Sequence, residues 1–137
     1  MLRKFKFEDC KPVSTPMIVG YKLSKEDESK DVDQKSYRSM IGSLLYVTAS
    51  RPDVKQVVGM VARFQSATKE NHVQVVKRIF RYLKGTINLG LWYPSKKSFS
   101  LRAYSDVDWD SCVHDRKSTS GRSFFLGESL VSWISKK

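Results

Sequence analysis

The segment 99–121 constrains the fold of this chain more than any other part of the sequence. Phe99, Leu101 and Ala103 alternate with polar or basic residues, which is the period of a half-buried strand. Three carboxylates lie at the end of this predicted strand: Asp106, Asp108 and Asp110. A rigid sheet can hold such oxygens around a hard divalent cation. The segment therefore predicts a strand that ends in a candidate metal-binding loop.

Two short apolar runs follow the acidic segment. They predict strands near Arg122–Leu126 and Leu130–Ile134, separated by Gly127, Glu128 and Ser129. We interpret Glu128 as a turn residue, because short polar runs with glycine connect strands. The pattern favours a small antiparallel sheet with Asp106 at the C-terminal end of its first strand.

The D-x-D-x-D spacing also matches the start of an EF-hand calcium loop, and the rest of the pattern excludes one. Ser111 stands where the loop needs a glycine for its sharp turn. Lys117 stands where the loop needs a bidentate Glu. The sequence predicts no EF-hand.

Three amphipathic helices are predicted before the sheet. The first spans Asp33–Thr48 with Asp33 as its N-cap, and the second begins with Ser50 as its N-cap and a proline in its first turn. The third spans Thr68–Lys84, with Gly85 suited to a left-handed C-terminal position. Helices followed by strands predict an α+β fold.

Aromatic and histidine side chains in this region have both structural and functional interpretations. The run Leu89–Tyr93 predicts a further short strand, and we favour a core position for Trp92 over stacking on bases, since strand aromatics mark half-buried surface. His72 lies on the apolar side of the third helix. A buried or half-buried histidine is favoured there over a metal ligand.

The net charge of +11 is concentrated in one part of the chain. Residues 63–97 contain eight Lys and Arg residues and one acidic residue, Glu70. Four of the cations lie within eight positions of the third helix: Lys77, Arg78, Arg81 and Lys84. The helix dipole explains a cation in the last turn but not four in eight positions. We therefore favour contact with nucleic acid, with an ordinary solvated surface as the alternative.

The cysteines and the hydropathy of the chain indicate where in the cell the protein is expected. Cys10 and Cys112 lie far apart and form no metal-type pair. No apolar run approaches the roughly 20 residues that span a bilayer, and the N-terminus lacks the apolar core of a signal peptide. We expect an intracellular protein with reduced thiols and no membrane contact.

The segment SDVDWDSCVHDRKSTSG, followed by FLGESLVSWISKK, resembles the Pol polyproteins of copia-type LTR retrotransposons at the start of their ribonuclease H domain. Upstream, YRSMIGSLLYVTASRPDV and HVQVVKRIFRYLKGTINLGLWYP are similar to the stretch between reverse transcriptase and ribonuclease H. Asp110 and Ser111 depart from the small residues, Ala-Gly, that the family usually has there. The similarity covers nearly the whole chain.

The resemblance implies three parts. Residues 1–32 would be an irregular leader after the reverse transcriptase palm, and residues 33–88 a helical thumb or connection-like region. Residues 89–137 would hold the N-terminal strands of an incomplete ribonuclease H-like fold. In this interpretation about three helices precede a small antiparallel sheet.

The resemblance also implies a function. Asp106 would be the first metal-binding carboxylate of a ribonuclease H site that holds Mg²⁺ or Mn²⁺ in the intact family enzyme. The family's other carboxylates and its polymerase aspartates would fall outside this chain, so we expect the segment alone to be inactive and to bind no ion stably. The intact polyprotein would act in reverse transcription and DNA integration. The expected partners are an RNA–DNA hybrid or duplex and the remainder of Pol.

Two alternatives stay open at the level of the sequence. One is a metal-dependent nuclease that uses the acidic cluster between Asp106 and Asp115. The other is a structural module with no nucleic-acid role. The resemblance implies a cytoplasmic or nuclear protein, leaves an organellar location open, and leaves the oligomeric state undetermined.

Overall fold

The computed structural model describes residues 1–18, 20–21, 23–24, 29–95, 100–108 and 119–136. The chain divides into two compact units, Met1–Leu89 and Gly90–Lys137. The first contains helices α1 (Gln34–Val47), α2 (Lys55–Ala62) and α3 (Glu70–Gly85), with a 3-10 turn at Pro52–Val54. The second contains strands β1 (Leu101–Asp108), β2 (Thr119–Leu126) and β3 (Ser129–Lys136). The predicted α+β fold, with three helices followed by an antiparallel sheet, is confirmed.

Helix α1 begins where its capping residue predicts. The Asp33 carboxylate accepts hydrogen bonds from the backbone N–H groups of Lys35 and Ser36 at 3.0 and 3.1 Å. A hydrogen bond from the Ser36 hydroxyl, followed by these two backbone bonds, lowers the pKa of Asp33. The cap satisfies helical N–H groups that have no partner inside the helix.

The other two helices begin later than predicted. The 3-10 turn before α2 has Arg51, not Ser50, at its N-cap position, and the Ser50 hydroxyl donates instead to the Val47 carbonyl. Helix α3 starts at Glu70, because Thr68 is buried and its hydroxyl donates to the Phe64 carbonyl. Both side chains bond to the preceding turn, which leaves them unable to cap the next helix.

Helix α3 forms the centre of the first unit. Its buried residues are His72, Val73, Val75, Val76, Ile79, Phe80, Tyr82 and Leu83. The predicted burial of His72 is confirmed, and the ring stacks on Phe64 with centroids 4.0 Å apart. Its Nδ1 accepts from the Lys69 N–H at 3.1 Å, so Nε2 carries the proton and donates to the Ser24 carbonyl at 2.9 Å. These bonds give His72 a structural role.

The leader packs onto this core although its backbone is irregular. Phe5 and Phe7 lie against Phe80, with ring centroids 5.2 and 5.0 Å apart. Other described leader side chains that pack on the same core are Leu2, Val13, Met17, Tyr21, Leu23 and Val32. Residues 1–18 are therefore an integral layer of the first unit.

The second unit is a three-stranded antiparallel sheet in the order β1-β2-β3. Leu126 pairs with Ser129 across a two-residue turn of Gly127 and Glu128, which confirms Glu128 as a turn residue. Gly127 has a φ of 63°, a conformation that glycine adopts without steric cost in such turns. Its N–H donates to the Ser100 carbonyl at 2.7 Å, so the turn is fastened to the residue before β1.

The strand predicted at Leu89–Tyr93 is wrong, because these residues form no strand. Trp92 is 83% exposed, so its predicted core position is also wrong. Aromatic content alone suggested the strand, whereas a strand exists only through backbone pairing with a neighbour. The Tyr93 hydroxyl instead donates to the Leu130 carbonyl at 2.8 Å.

Candidate nucleic-acid interface

Four cations lie on the side of α3 that faces away from the core, and we call them the basic face: Lys77, Arg78, Arg81 and Lys84. Lys77 is exposed, and the other three are half-buried. The buried stripe of α3 occupies the opposite side of the helix, as its periodicity requires. The structure thus brings all four predicted nucleic-acid-binding residues onto one helix.

The two arginines of the basic face contact the leader. The Arg78 guanidinium donates from Nε to the Thr15 carbonyl at 3.1 Å and from Nη2 to the Thr15 hydroxyl at 2.8 Å. Arg81 donates from Nε to the Lys11 carbonyl at 2.8 Å. The sequence does not predict these bonds, because no local pattern connects residues that lie more than 60 positions apart. Part of the basic face therefore also holds the leader in place.

Gly85 serves a different purpose from the one predicted. It is the last residue of α3 and does not have a positive φ, so the predicted left-handed C-terminal conformation is wrong. A Cβ at this position would lie 2.9 Å from Cβ of Pro12. Glycine allows the leader backbone to cross close to the end of the helix.

A polar network fixes the C-terminal end of α3. Arg51 donates to both carboxylate oxygens of Asp53, at 2.9 and 2.7 Å, and to the carbonyl and hydroxyl oxygens of Thr86, at 3.0 and 2.7 Å. The Tyr82 hydroxyl donates to Asp53 Oδ2 at 2.8 Å. The network connects the turn before α2 to the residue after α3, and so orients the end of the helix that carries Lys84.

The charges in this network shift one another's protonation. Burial alone would raise the pKa of Asp53, but hydrogen bonds from Arg51 and Tyr82 and the charge of Arg51 outweigh burial and lower that pKa. Burial and the bond to Asp53 raise the pKa of Tyr82. From the sequence, the segment around Arg51 and Asp53 predicts only the start of a helix. The alternation of Arg51 and Asp53 around Pro52 was the available signal for an ion pair.

Asp106 lies in β1, two residues before the strand ends, and pairs with Gly121 of β2. It is exposed, and Asp108 is the last residue of the strand. Asp110 and Asp115 of the proposed acidic cluster lie outside the described residues, as do Ser111 and Lys117. Within the described part of the chain, no three His, Cys, Asp or Glu residues come together as a metal site. A catalytic role for Asp106 stays a prediction.

The amino-acid sequence of the chain is similar to transposon polyproteins. The chain is 42% identical over 93% of its length to the retrovirus-related Pol polyprotein from transposon RE1 of Arabidopsis thaliana. It is 38% identical over 93% of its length to the corresponding polyprotein from transposon RE2 of the same plant. The chain belongs to the family of copia-type transposon Pol polyproteins. This Pol segment spans about a tenth of those two relatives, 9% of each.

The same Pol segment is similar to a shorter plant protein. It is 36% identical to the uncharacterized mitochondrial protein AtMg00810 of Arabidopsis thaliana, over 94% of this chain and 53% of that protein. No family model and no solved structure matches the Pol segment. Among the described residues, no helix is both long and apolar enough to cross a membrane.

Proposed function

We propose that this Pol segment spans the junction of the reverse transcriptase and ribonuclease H parts of its polyprotein and contacts an RNA–DNA hybrid or duplex through the basic face. The observation that carries the proposal is the position of four cations, within eight residues, on the solvent side of α3. The only acidic residue of this helix is Glu70 in its first turn. The basic face is thus a positive stripe without a carboxylate that would neutralise it from the same helix.

The spacing of the two lysines suits a nucleic-acid backbone. Lys77 and Lys84 are seven residues apart, which is about 10 Å along an α-helix at about 1.5 Å per residue. Successive nucleotides of one strand rise about 3.4 Å along a duplex, so this distance covers about three phosphates. Contacts of this kind position a duplex without reading its sequence.

The lysines give the cleaner test of the proposal, because Arg78 and Arg81 also hold the leader. Replacing both Lys77 and Lys84 with Gln removes two charges, while Gln remains a good helix former. We expect the double variant to bind an RNA–DNA hybrid and a DNA duplex about three- to thirtyfold more weakly at low salt, on the basis of ordinary surface charge contacts. Fluorescence anisotropy with labelled oligonucleotides measures both affinities.

The matched control is Lys30→Gln with Lys35→Gln. Both lysines are exposed and lie outside α3. Replacing them removes two positive charges, as replacing Lys77 and Lys84 does. We expect this control to bind nearly as tightly as the parent. Equal weakening in both double variants would mean that binding follows net charge alone, and the basic face would then be an ordinary solvated surface.

We also propose that the segment alone does not hydrolyse nucleic acid. Two-metal hydrolysis requires two divalent ions about 4 Å apart, held by several carboxylates. Among the described residues, Asp106 belongs to no group of three or more possible metal ligands. We expect no cleavage of an RNA–DNA hybrid with Mg²⁺ or Mn²⁺. Cleavage that is lost in Asp106→Asn would contradict this and favour the nuclease alternative.

The remaining parts of the proposal follow from the family. Mg²⁺ or Mn²⁺ would belong to the complete enzyme, which would act in reverse transcription and DNA integration. We place the polyprotein in the cytoplasm or nucleus, and the similarity to a plant protein named as mitochondrial supports an organellar copy as well.

A further inference from the structure

Residues 11–16 of the leader, which we call the strap, run beside the basic face. Thr15 and Lys11 accept hydrogen bonds from Arg78 and Arg81. Pro12 passes so close to Gly85 that a Cβ there would lie 2.9 Å away. The strap therefore lies against α3 at three positions, two on the basic face and one at Gly85, spread over about two turns of the helix.

The strap uses the same donors that a phosphate would use. Arg78 binds Thr15 through Nε and Nη2, and its two partners are a carbonyl and a hydroxyl oxygen. Those two nitrogens form one edge of the guanidinium fork, and that edge binds paired oxygens of a phosphate in a bidentate manner. Arg81 likewise has its Nε occupied by the Lys11 carbonyl. The strap oxygens are neutral, so a phosphate oxygen would bind these donors more strongly.

Four of the six strap residues are exposed, whereas Val13 packs on the core and Pro16 is half-buried. The exposed residues of the strap are Lys11, Pro12, Ser14 and Thr15. By contrast, Phe5 and Phe7 before it stack on the buried Phe80. We therefore expect Lys11 and Thr15 to be released from the two arginines while Phe5, Phe7 and Val13 stay packed on the core.

We propose that the strap is an internal competitor that lowers the affinity of the basic face for phosphate. This inference rests on the proposed function of that face and adds a form of regulation to it. When the strap is displaced, Arg78 regains one bidentate edge and Arg81 regains its Nε. The basic face then presents four cations to a duplex, including two arginines whose strap-bonded nitrogens have been released.

Two substitutions loosen the strap without changing the charge of the chain. Thr15→Val removes the hydroxyl acceptor of Arg78 and keeps the side-chain shape. Gly85→Ala places a methyl group against Pro12, so the strap must move, while Ala is a better helix former than Gly. Thr15→Ser is the matched control, because it keeps the hydroxyl.

We expect the variant that carries both Thr15→Val and Gly85→Ala to bind a DNA duplex more tightly than the parent. The gain should be about two- to fivefold for each released arginine, the usual range for surface charge contacts. The slope of log affinity against log salt should steepen by about 0.9 for each phosphate gained. Thr15→Ser should match the parent in both quantities, and helical circular dichroism should show that α3 is intact in all variants.

The outcomes separate this inference from the function on which it rests. One outcome is weaker binding in Lys77→Gln/Lys84→Gln and parent-like binding in Thr15→Val/Gly85→Ala. It would overturn the inference that the strap competes with phosphate, and it would support the proposed function. Binding that appears or strengthens only when the strap is loosened would support both. Absence of duplex binding in the parent and in every variant would overturn both.

Discussion

Replacing Phe80 with Ala lowers the free energy of unfolding of the helical unit by about 3–5 kcal/mol, the usual cost of removing a buried aromatic ring. Phe80 is fully buried and is the residue on which the leader and α3 meet, since both Phe5 and Phe7 pack against its ring. The substitution leaves a cavity and removes both aromatic contacts at once. We therefore expect a loss near the upper end of this range.

Denaturant unfolding of the full chain, followed by helical circular dichroism, measures this change. Helices were found only in the first unit of the described chain, so the helical signal reports on that unit. Tryptophan fluorescence reports on the second unit, because Trp92, Trp109 and Trp133 all lie there. Phe80→Leu is the control and should cost less than Phe80→Ala, because Leu leaves a smaller cavity. A helical transition that is the same in Phe80→Ala as in the parent would contradict the packing described for the leader.

Replacing Arg51 with Met removes the centre of the network at the end of α3, and we expect a loss of about 2–3 kcal/mol. Breaking a fully buried ion pair costs about 3–5 kcal/mol, and we reduce this value because the Asp53 side chain is 27% exposed. The variant also leaves the carbonyl of Thr86 without the Arg51 donor. The same denaturant experiment measures the loss.

The network also makes stability depend on pH in a specific direction. The pKa of Asp53 is lowered in the folded chain from its ordinary value of 3.8. The ionised carboxylate therefore stabilises the fold above the unfolded-state pKa, and this contribution disappears as the pH falls through the lower folded-state value. We expect the parent to lose stability below about pH 4 more steeply than Arg51→Met.

The control for this pH dependence is Asp53→Asn, which has no titrating group at that position. Its stability should fall less steeply in the acid range than that of the parent, as in Arg51→Met. If the free energy of unfolding falls equally steeply with acid in the parent and in both variants, the ionisation of Asp53 does not contribute to stability.

Local patterns predicted those features that local physics determines. Asp33 caps α1 because a carboxylate before a helix meets N–H groups two and three residues later. His72 is buried because its position repeats with the apolar face of α3. The strands around Gly127 followed from alternation and turn chemistry, and the structure contains both.

Features that depend on distant residues could not be predicted in this way. Gly85 looked like a helix terminator, but its role comes from Pro12, which lies 73 positions earlier in the chain. Trp92 looked like a core residue, but burial requires a neighbouring layer that no local pattern specifies. Thr68 and Ser50 looked like caps, but both hydroxyls bond to carbonyls of the preceding turn.

The candidate interface was predicted in part. The sequence placed four cations together on one helix, since helical spacing alone determines that. It could not show that Arg78 and Arg81 bond to Thr15 and Lys11, because that choice of partner depends on how the leader folds back. Only the structure therefore shows that the two arginines of the basic face bond to the leader.

The salt dependence of duplex binding tests most directly whether the basic face contacts phosphates. Each phosphate contact contributes about 0.9 to the slope of log affinity against log salt for B-form DNA. We predict that Lys77→Gln/Lys84→Gln reduces the magnitude of this slope by up to about 1.8, from the same value of about 0.9 for each of two contacts. The control Lys30→Gln/Lys35→Gln should keep the slope of the parent. A slope that is the same in the parent and in Lys77→Gln/Lys84→Gln would contradict contact between the basic face and phosphates.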